Sequence, residues 1–162
     1  MDLGAPDTPR WLQRFSNFDR ALVLLRQAVE LLDERNRELA EELVPIIREG
    51  AIQRFEYCFE LAWKTLKDYL LWRKVTRRKQ GGGDVLKAAF ATGYIADGEA
   101  WLEALDARNE MSRVYRQESF ERVLQDIRVR FLDLLEDLHE MLASEQLAWL
   151  EAKKNDANAA GN

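Results

Sequence analysis

Apolar residues along this chain recur at alternating spacings of three and four, which places them on one face of an α-helix. Phe15, Phe18, Leu22, Leu25, Val29 and Leu32 form the first such stripe. Thr8-Pro9 precedes it, so Thr8 is expected to cap the helix and Pro9 to sit in its first turn. The segment from Asp33 to Glu42 is polar apart from Leu39. It predicts a helix end, a turn and the lead-in to a second helix that Pro45 begins. The second stripe is Ile52, Phe55, Phe59, Ala62, Leu66 and Tyr69, broadened by Trp63 and Leu70. It should stop near Arg73 to Val75, ahead of the break at Gly81-Gly82-Gly83.

Two shorter helices follow. Asp84 is placed to cap one running from Val85 to Thr92 and closed by Gly93. Asp97 is placed to cap the next, which carries Trp101, Leu102 and Leu105 towards Arg108. The final helix should start near Ser119, with Phe120, Leu124, Ile127, Phe131, Leu134, Leu138 and Met141 as its stripe. Leu132 and Leu135 add a second apolar flank, wider than one bundle face requires. No strand pattern competes. The pattern predicts an all-α fold, an antiparallel up-and-down helical bundle with three long and two short helices, the short pair preceding the last long one. Residues 1–8 are expected to be a flexible arm, 9–152 a single domain and 153–162 a disordered tail. The doubled flank on the last helix, together with Trp101, predicts spare apolar surface and a homodimer.

Composition narrows the setting. Apolar residues make up 47% and charged residues 33% of 162 positions, the mixture of a soluble single domain. A net charge of −5 excludes a surface built wholly for nucleic acid but permits a local basic patch. Cys58 is the one cysteine, which excludes an intrachain disulfide and a cysteine-rich zinc site. No apolar run approaches the roughly 18 residues needed to span a bilayer, and no secretory pattern opens the chain. A cytoplasmic protein without membrane attachment is expected.

Candidate chemistry concentrates in two places. Arg108, Asn109, Ser112, Arg113 and Tyr115 lie together. If the helix from Asp97 reaches Ser112, then Arg108 and Ser112 share one face while Asn109 and Arg113 share the next. Guanidinium forks fit phosphate oxygens, although solvated charge and helix-end capping explain the same residues. Gln53, Glu56, Glu60, Lys64 and Lys67 form a polar stripe on the second helix, which a solvated face would also explain. The basic run Arg73, Lys74, Arg77, Arg78 and Lys79 lacks the order of a P-loop and is expected to be an exposed loop. Glu136 and His139 have the Glu-x-x-His spacing of di-iron bundles, but His139 is the only histidine. Neither a metal site nor a Cys–His or Ser–His dyad is therefore expected.

Two blocks carry a resemblance. They are Gln53-Arg54-Phe55-Glu56-Tyr57-Cys58-Phe59-Glu60-Leu61-Ala62-Trp63-Lys64-Thr65-Leu66 and Arg108-Asn109-Glu110-Met111-Ser112-Arg113-Val114-Tyr115. Together they resemble the nucleotidyltransferase substrate-binding protein family, small helical partners of minimal nucleotidyltransferases within the wider HEPN class. The resemblance spans Arg14 to Leu142. It implies a HEPN-like bundle, a homodimer, a separate minimal nucleotidyltransferase as partner, and no cofactor. It further implies that Arg108, Asn109, Ser112 and Arg113 bind nucleotide or substrate, with Glu56 and Glu60 facing them and orienting the arginines. Tyr115 matches the tyrosine that accepts nucleotide in toxin–antitoxin members.

One departure matters. In the HEPN class the second block reads Arg, four residues, His, one residue, Tyr, and the His position here is Arg113. In ribonuclease relatives the Arg and His cut RNA without a metal, the His moving a proton. Arginine stays protonated near neutral pH and cannot do this. The expectation is a non-catalytic binding partner with no catalytic residue. The alternative is a metal-independent ribonuclease toxin of a toxin–antitoxin pair, for which RNA would be the substrate.

Overall fold

The apolar stripes become the inner faces of helices in a computed structural model that describes residues 7–33, 41–77, 80–113 and 116–161. The elements are α1 (Arg10–Leu31), a 3-10 turn (Glu41–Leu43), α2 (Val44–Trp72), α3 (Gly82–Ala91), α4 (Gly98–Met111), α5 (Gln117–Asp126), a π turn (Ile127–Phe131) and α6 (Leu132–Ala160). Backbone dihedrals stay helical from α5 through the π turn into α6, so these three form one continuous helix. Counted that way, the described residues make three long and two short helices and no strand.

Side-chain pairs fix the directions. Arg14 donates to Asp68 and Arg54 to the Leu24 carbonyl, so α1 and α2 run antiparallel. Arg26–Glu136 and His139–Asp19 make α1 and α6 antiparallel in turn. Arg108–Glu60 and Arg130–Glu103 join α4 to α2 on one side and to the last helix on the other. The bundle is thus up, down, up, down through α1, α2, α4 and the α5–α6 helix, with α3 inserted after α2. Aromatic contacts fill its centre: Phe55 stacks on Phe131 at 5.6 Å, and Phe59 meets Trp101 at 5.7 Å. Each such fully buried side chain contributes about 1.5–3 kcal/mol.

Helix ends follow local chemistry, with two shifts from expectation. Asp97 caps α4 by accepting from the Ala100 amide at 3.1 Å, as expected. Gly93, at φ 80°, closes α3, with its own N–H on Phe90 and that of Tyr94 on Ala89. Asp84 does not cap α3; it lies in the first turn, and Gly81 is the cap. Pro9, not Thr8, occupies the cap of α1, without a side-chain bond. The missing proline N–H costs nothing there, because the first helical amides have no intrahelical partner. At the end of α2 the same closing pattern as at Gly93 recurs with Lys74 in the left-handed position at φ 60°.

The last helix departs most. A π turn lies within it, ending at Phe131. Phe120, Leu124, Ile127, Phe131 and Leu138 are buried as expected, but Leu135 and Leu142 complete the stripe in place of Leu134 and Met141. Leu134 and Met141 are only half-buried, at its flank. Leu135 is 1% exposed and Trp101 2%, so both belong to this chain's own core. They are not free for the intersubunit surface expected of them. The expected disordered tail is also different: α6 stays helical to Ala160, fully exposed from Glu151 onward.

The burial of Leu135 in place of Leu134 is measurable. Leu135→Ala should cost about 2–5 kcal/mol of unfolding free energy by leaving a core cavity. Leu134→Ala should cost about 1 kcal/mol, the centre of the distribution for point changes. Urea denaturation of both variants checks this, and equal losses would contradict that placement.

Candidate functional site

The polar stripe of α2 and the last turn of α4 meet at one carboxylate. Trp101 packs on Phe59 and brings α4 against α2, which sets Arg108 opposite Glu60. Arg108 Nη2 reaches Glu60 Oε2 at 3.0 Å, and Trp63 Nε1 donates to the same oxygen at 3.0 Å. Lys64 Nζ holds the other oxygen at 2.6 Å. Arg108 Nη1 donates to Asn109 Oδ1 at 3.1 Å, while its buried Nε has no partner among the described residues. A cation in this last helical turn also faces the negative end of the α4 dipole.

Glu56 lies one turn before Glu60, near enough for Arg108 to act on its charge. Burial raises the Glu56 carboxyl above its ordinary 4.5, and Arg108 offsets this only in part. Burial pushes Glu60 the same way. There the hydrogen bonds from Lys64 and Trp63, with the charges of Arg108 and Lys64, outweigh it and leave the carboxyl below 4.5. Two glutamates on one stripe thus have opposite shifts.

The remaining candidates are less concentrated. Ser112 caps the end of α4, exposed, with its hydroxyl on the Asn109 carbonyl at 3.1 Å. Arg113 lies in the turn beyond, exposed, with no ion-pair partner among the described residues. Tyr115 lies outside the described residues, as do Arg78 and Lys79 of the basic run. Glu56 and Glu60 also border a groove between α1 and α2. It holds hollows of about 430 and 510 Å³ that share Ala21, Leu24 and Tyr57.

Sequence reasoning assigned Trp63 to the core face of α2, yet it is half-buried and donates to Glu60. It also passed over Glu110, which accepts from Ser119 at 2.5 Å and Arg122 at 2.9 Å and so ties α4 to α5. The polar spacing Glu110, Ser119, Arg122 gave no signal, because the contact crosses a turn. His139 pairs with Asp19 at 2.7 Å and lies against Phe15, while Glu136 pairs with Arg26, so that spacing serves helix packing. Cys58 is buried, and burial pushes its thiol up to about 12.

Residues 13–144 match the sequence model of a family described as nucleotidyltransferase substrate binding protein like. A Haemophilus influenzae protein described as a probable ribonuclease, HepT, is 31% identical over 130 residues, covering 75% of this chain and 89% of the relative. A solved structure from Haemophilus influenzae is described as revealing the fold of a substrate binding domain of a nucleotidyltransferase. It superposes with a TM-score of 0.71 at 30% identity, covering 80% of this chain and 98% of that one. A crystal structure from Thermus thermophilus, with a TM-score of 0.61 and 24% identity, covers 75% of this chain and 94% of its own and shares the fold.

The two glutamates make a pH prediction with opposite signs. The depressed Glu60 stabilises the fold above its unfolded pKa, and this is lost as pH falls through the folded value. Glu60→Gln should therefore lower stability at about pH 7 and converge on wild type near about pH 3. The raised Glu56 favours the protonated folded state, so its ionisation at neutral pH is a cost. Glu56→Gln should raise stability at about pH 7, the gain fading below the unfolded glutamate pKa. Denaturation midpoints across pH check both, and shifts of the same sign at neutral pH would contradict the assignment.

Proposed function

The chain belongs to the nucleotidyltransferase substrate binding protein family, and from that membership we propose a non-catalytic partner of a separate minimal nucleotidyltransferase. In this reading it binds nucleotide or substrate beside Arg108. The observation that carries it is the placement of that guanidinium: Glu60 holds Nη2 at 3.0 Å and Asn109 accepts from Nη1 at 3.1 Å, which leaves each Nη a second N–H on a side chain that is part-exposed. An arginine so oriented keeps donor capacity for a phosphate oxygen. Asn109, Ser112 and Arg113 extend the polar surface beyond it, and Glu56 and Glu60 orient the arginine from α2. Tyr115 is the proposed acceptor of nucleotide. The nucleotide would pass from the partner's bound triphosphate to the phenol oxygen with pyrophosphate leaving, and a carboxylate at the partner's metal site would take the phenol proton.

The reading includes a cytoplasmic homodimer. Leu135 and Trp101 lie inside the core, and the reading is supported instead by exposed apolar side chains in the α1–α2 groove, where Leu24 is 44% and Tyr57 62% exposed. No helix among the described residues is long and apolar enough to cross a membrane.

The description of the Haemophilus influenzae relative as a probable ribonuclease supports a second reading, metal-independent RNA cleavage. Arg113 argues against it, because it stands where the motif has histidine, and a guanidinium does not serve as a general acid or base.

Titration calorimetry with AMP tests the binding claim. Arg108→Ala should weaken AMP by about tenfold or more, the worth of one charge-assisted hydrogen bond. Unchanged affinity would remove Arg108 from the site. Co-expression with a minimal nucleotidyltransferase encoded beside this chain should give a stable complex, and intact mass should show a nucleotide increment lost in Tyr115→Phe. End-labelled RNA incubated with the chain in chelator should stay intact; cleavage abolished by Arg108→Ala would establish the ribonuclease reading instead.

A further inference from the structure

Among the tryptophans of the long helices, Trp11 is sealed in the core, whereas Trp63 is half-buried on the polar stripe of α2. Its ring is held in place from two sides. Nε1 donates to Glu60, and Gly82 backs the ring closely enough that a Cβ there would lie 3.5 Å from Trp63 Cδ2. Two ammonium groups lie over the ring, Lys67 Nζ at 5.6 Å and Lys64 Nζ at 5.7 Å from its centroid. Lys64 is engaged by Glu60, but Lys67 has no ion-pair partner among the described residues.

We propose that Trp63 is a stacking platform for the base of a purine nucleotide and that Lys67 takes one of its phosphate oxygens. This rests on the reading of Arg108 as a phosphate donor and names the ligand class of that same site. Trp63 and Arg108 donate to one oxygen of Glu60, so platform and guanidinium are joined through a single carboxylate. A flat, fixed indole presents a π-face to any base, and a purine covers more of it than a pyrimidine. The half-buried lysine carries its ammonium on a long flexible stem, so the ammonium can leave the ring and follow the phosphate while the base takes its place. The base can come from a free nucleotide or from the end of a nucleic acid strand, and the chemistry of recognition is the same.

Calorimetry on the full chain with adenosine, AMP and a short oligoadenylate separates the parts. Trp63→Leu should weaken adenosine and AMP alike by about tenfold, and Trp63→Phe should recover most of the loss. Lys67→Gln should weaken AMP and leave adenosine unchanged. A folded Trp63→Leu chain that binds AMP as wild type does overturns the platform; if that variant does not fold, unchanged AMP affinity in Lys67→Gln overturns the proposal. Loss of AMP in Arg108→Ala with no change in either Trp63→Leu or Lys67→Gln would sink the platform and leave the Arg108 reading standing. No binding of any probe by wild type would sink both. Oligoadenylate binding much tighter than AMP, with the same Trp63 dependence, supports the platform and identifies a strand as the source; equal affinities support it with the free nucleotide.

Discussion

A carboxylate on the half-buried face of a helix must have its charge met by donors, and Glu60 meets three at once. Arg108 reaches it from α4, while Lys64 and Trp63 reach it from its own helix. Each donor is thereby restrained. The guanidinium is turned towards α2, the indole plane is fixed, and one of two neighbouring lysines is taken while the other is left over. Burial alone would raise the Glu60 carboxyl, and the hydrogen bonds and charges around it outweigh that and lower it. The candidate site thus depends on this one ionised group.

That arrangement needs α4 held firmly on α2, and the packing supplies it. Trp101 on Phe59 sets the approach of the two helices, and Gly82 of α3 fits closely against both Leu105 and Trp63. From the other side Glu103 takes Arg130 of the π turn, and Glu110 takes Ser119 and Arg122 of α5. The π turn thus presents Arg130 to α4. Such turns recur near functional regions because they redirect side chains without breaking the helix.

Much of this was legible in the chain. Three-four spacing gave the three long helices, and Asp97 and Gly93 marked ends of the two short ones through chemistry that is local to them. The stripe on α2 and the block at Arg108 were readable as residue types, and the resemblance that joined them anticipated Glu60 facing Arg108. What was hidden is non-local or conformational. Three-four spacing between Phe131 and Leu138 admits Leu134 or Leu135 equally, so Leu135 looked like surplus surface when it is core. Lys74 in a left-handed position could not be read from a residue that seldom adopts it. The half-exposure of Trp63 depends on how closely Gly82 approaches, which spacing does not encode. Tyr115 was singled out through the resemblance and lies outside the described residues.

The central claim is that Glu60 acts on the bound ligand through Arg108. A double-mutant cycle on AMP affinity, using Glu60→Gln, Arg108→Ala and the pair, tests it most directly. The account predicts a coupling of about 1 kcal/mol or more, with the Glu60 substitution changing affinity much less once Arg108 is gone. Losses that add to within about 0.5 kcal/mol would show the two residues acting independently and contradict it.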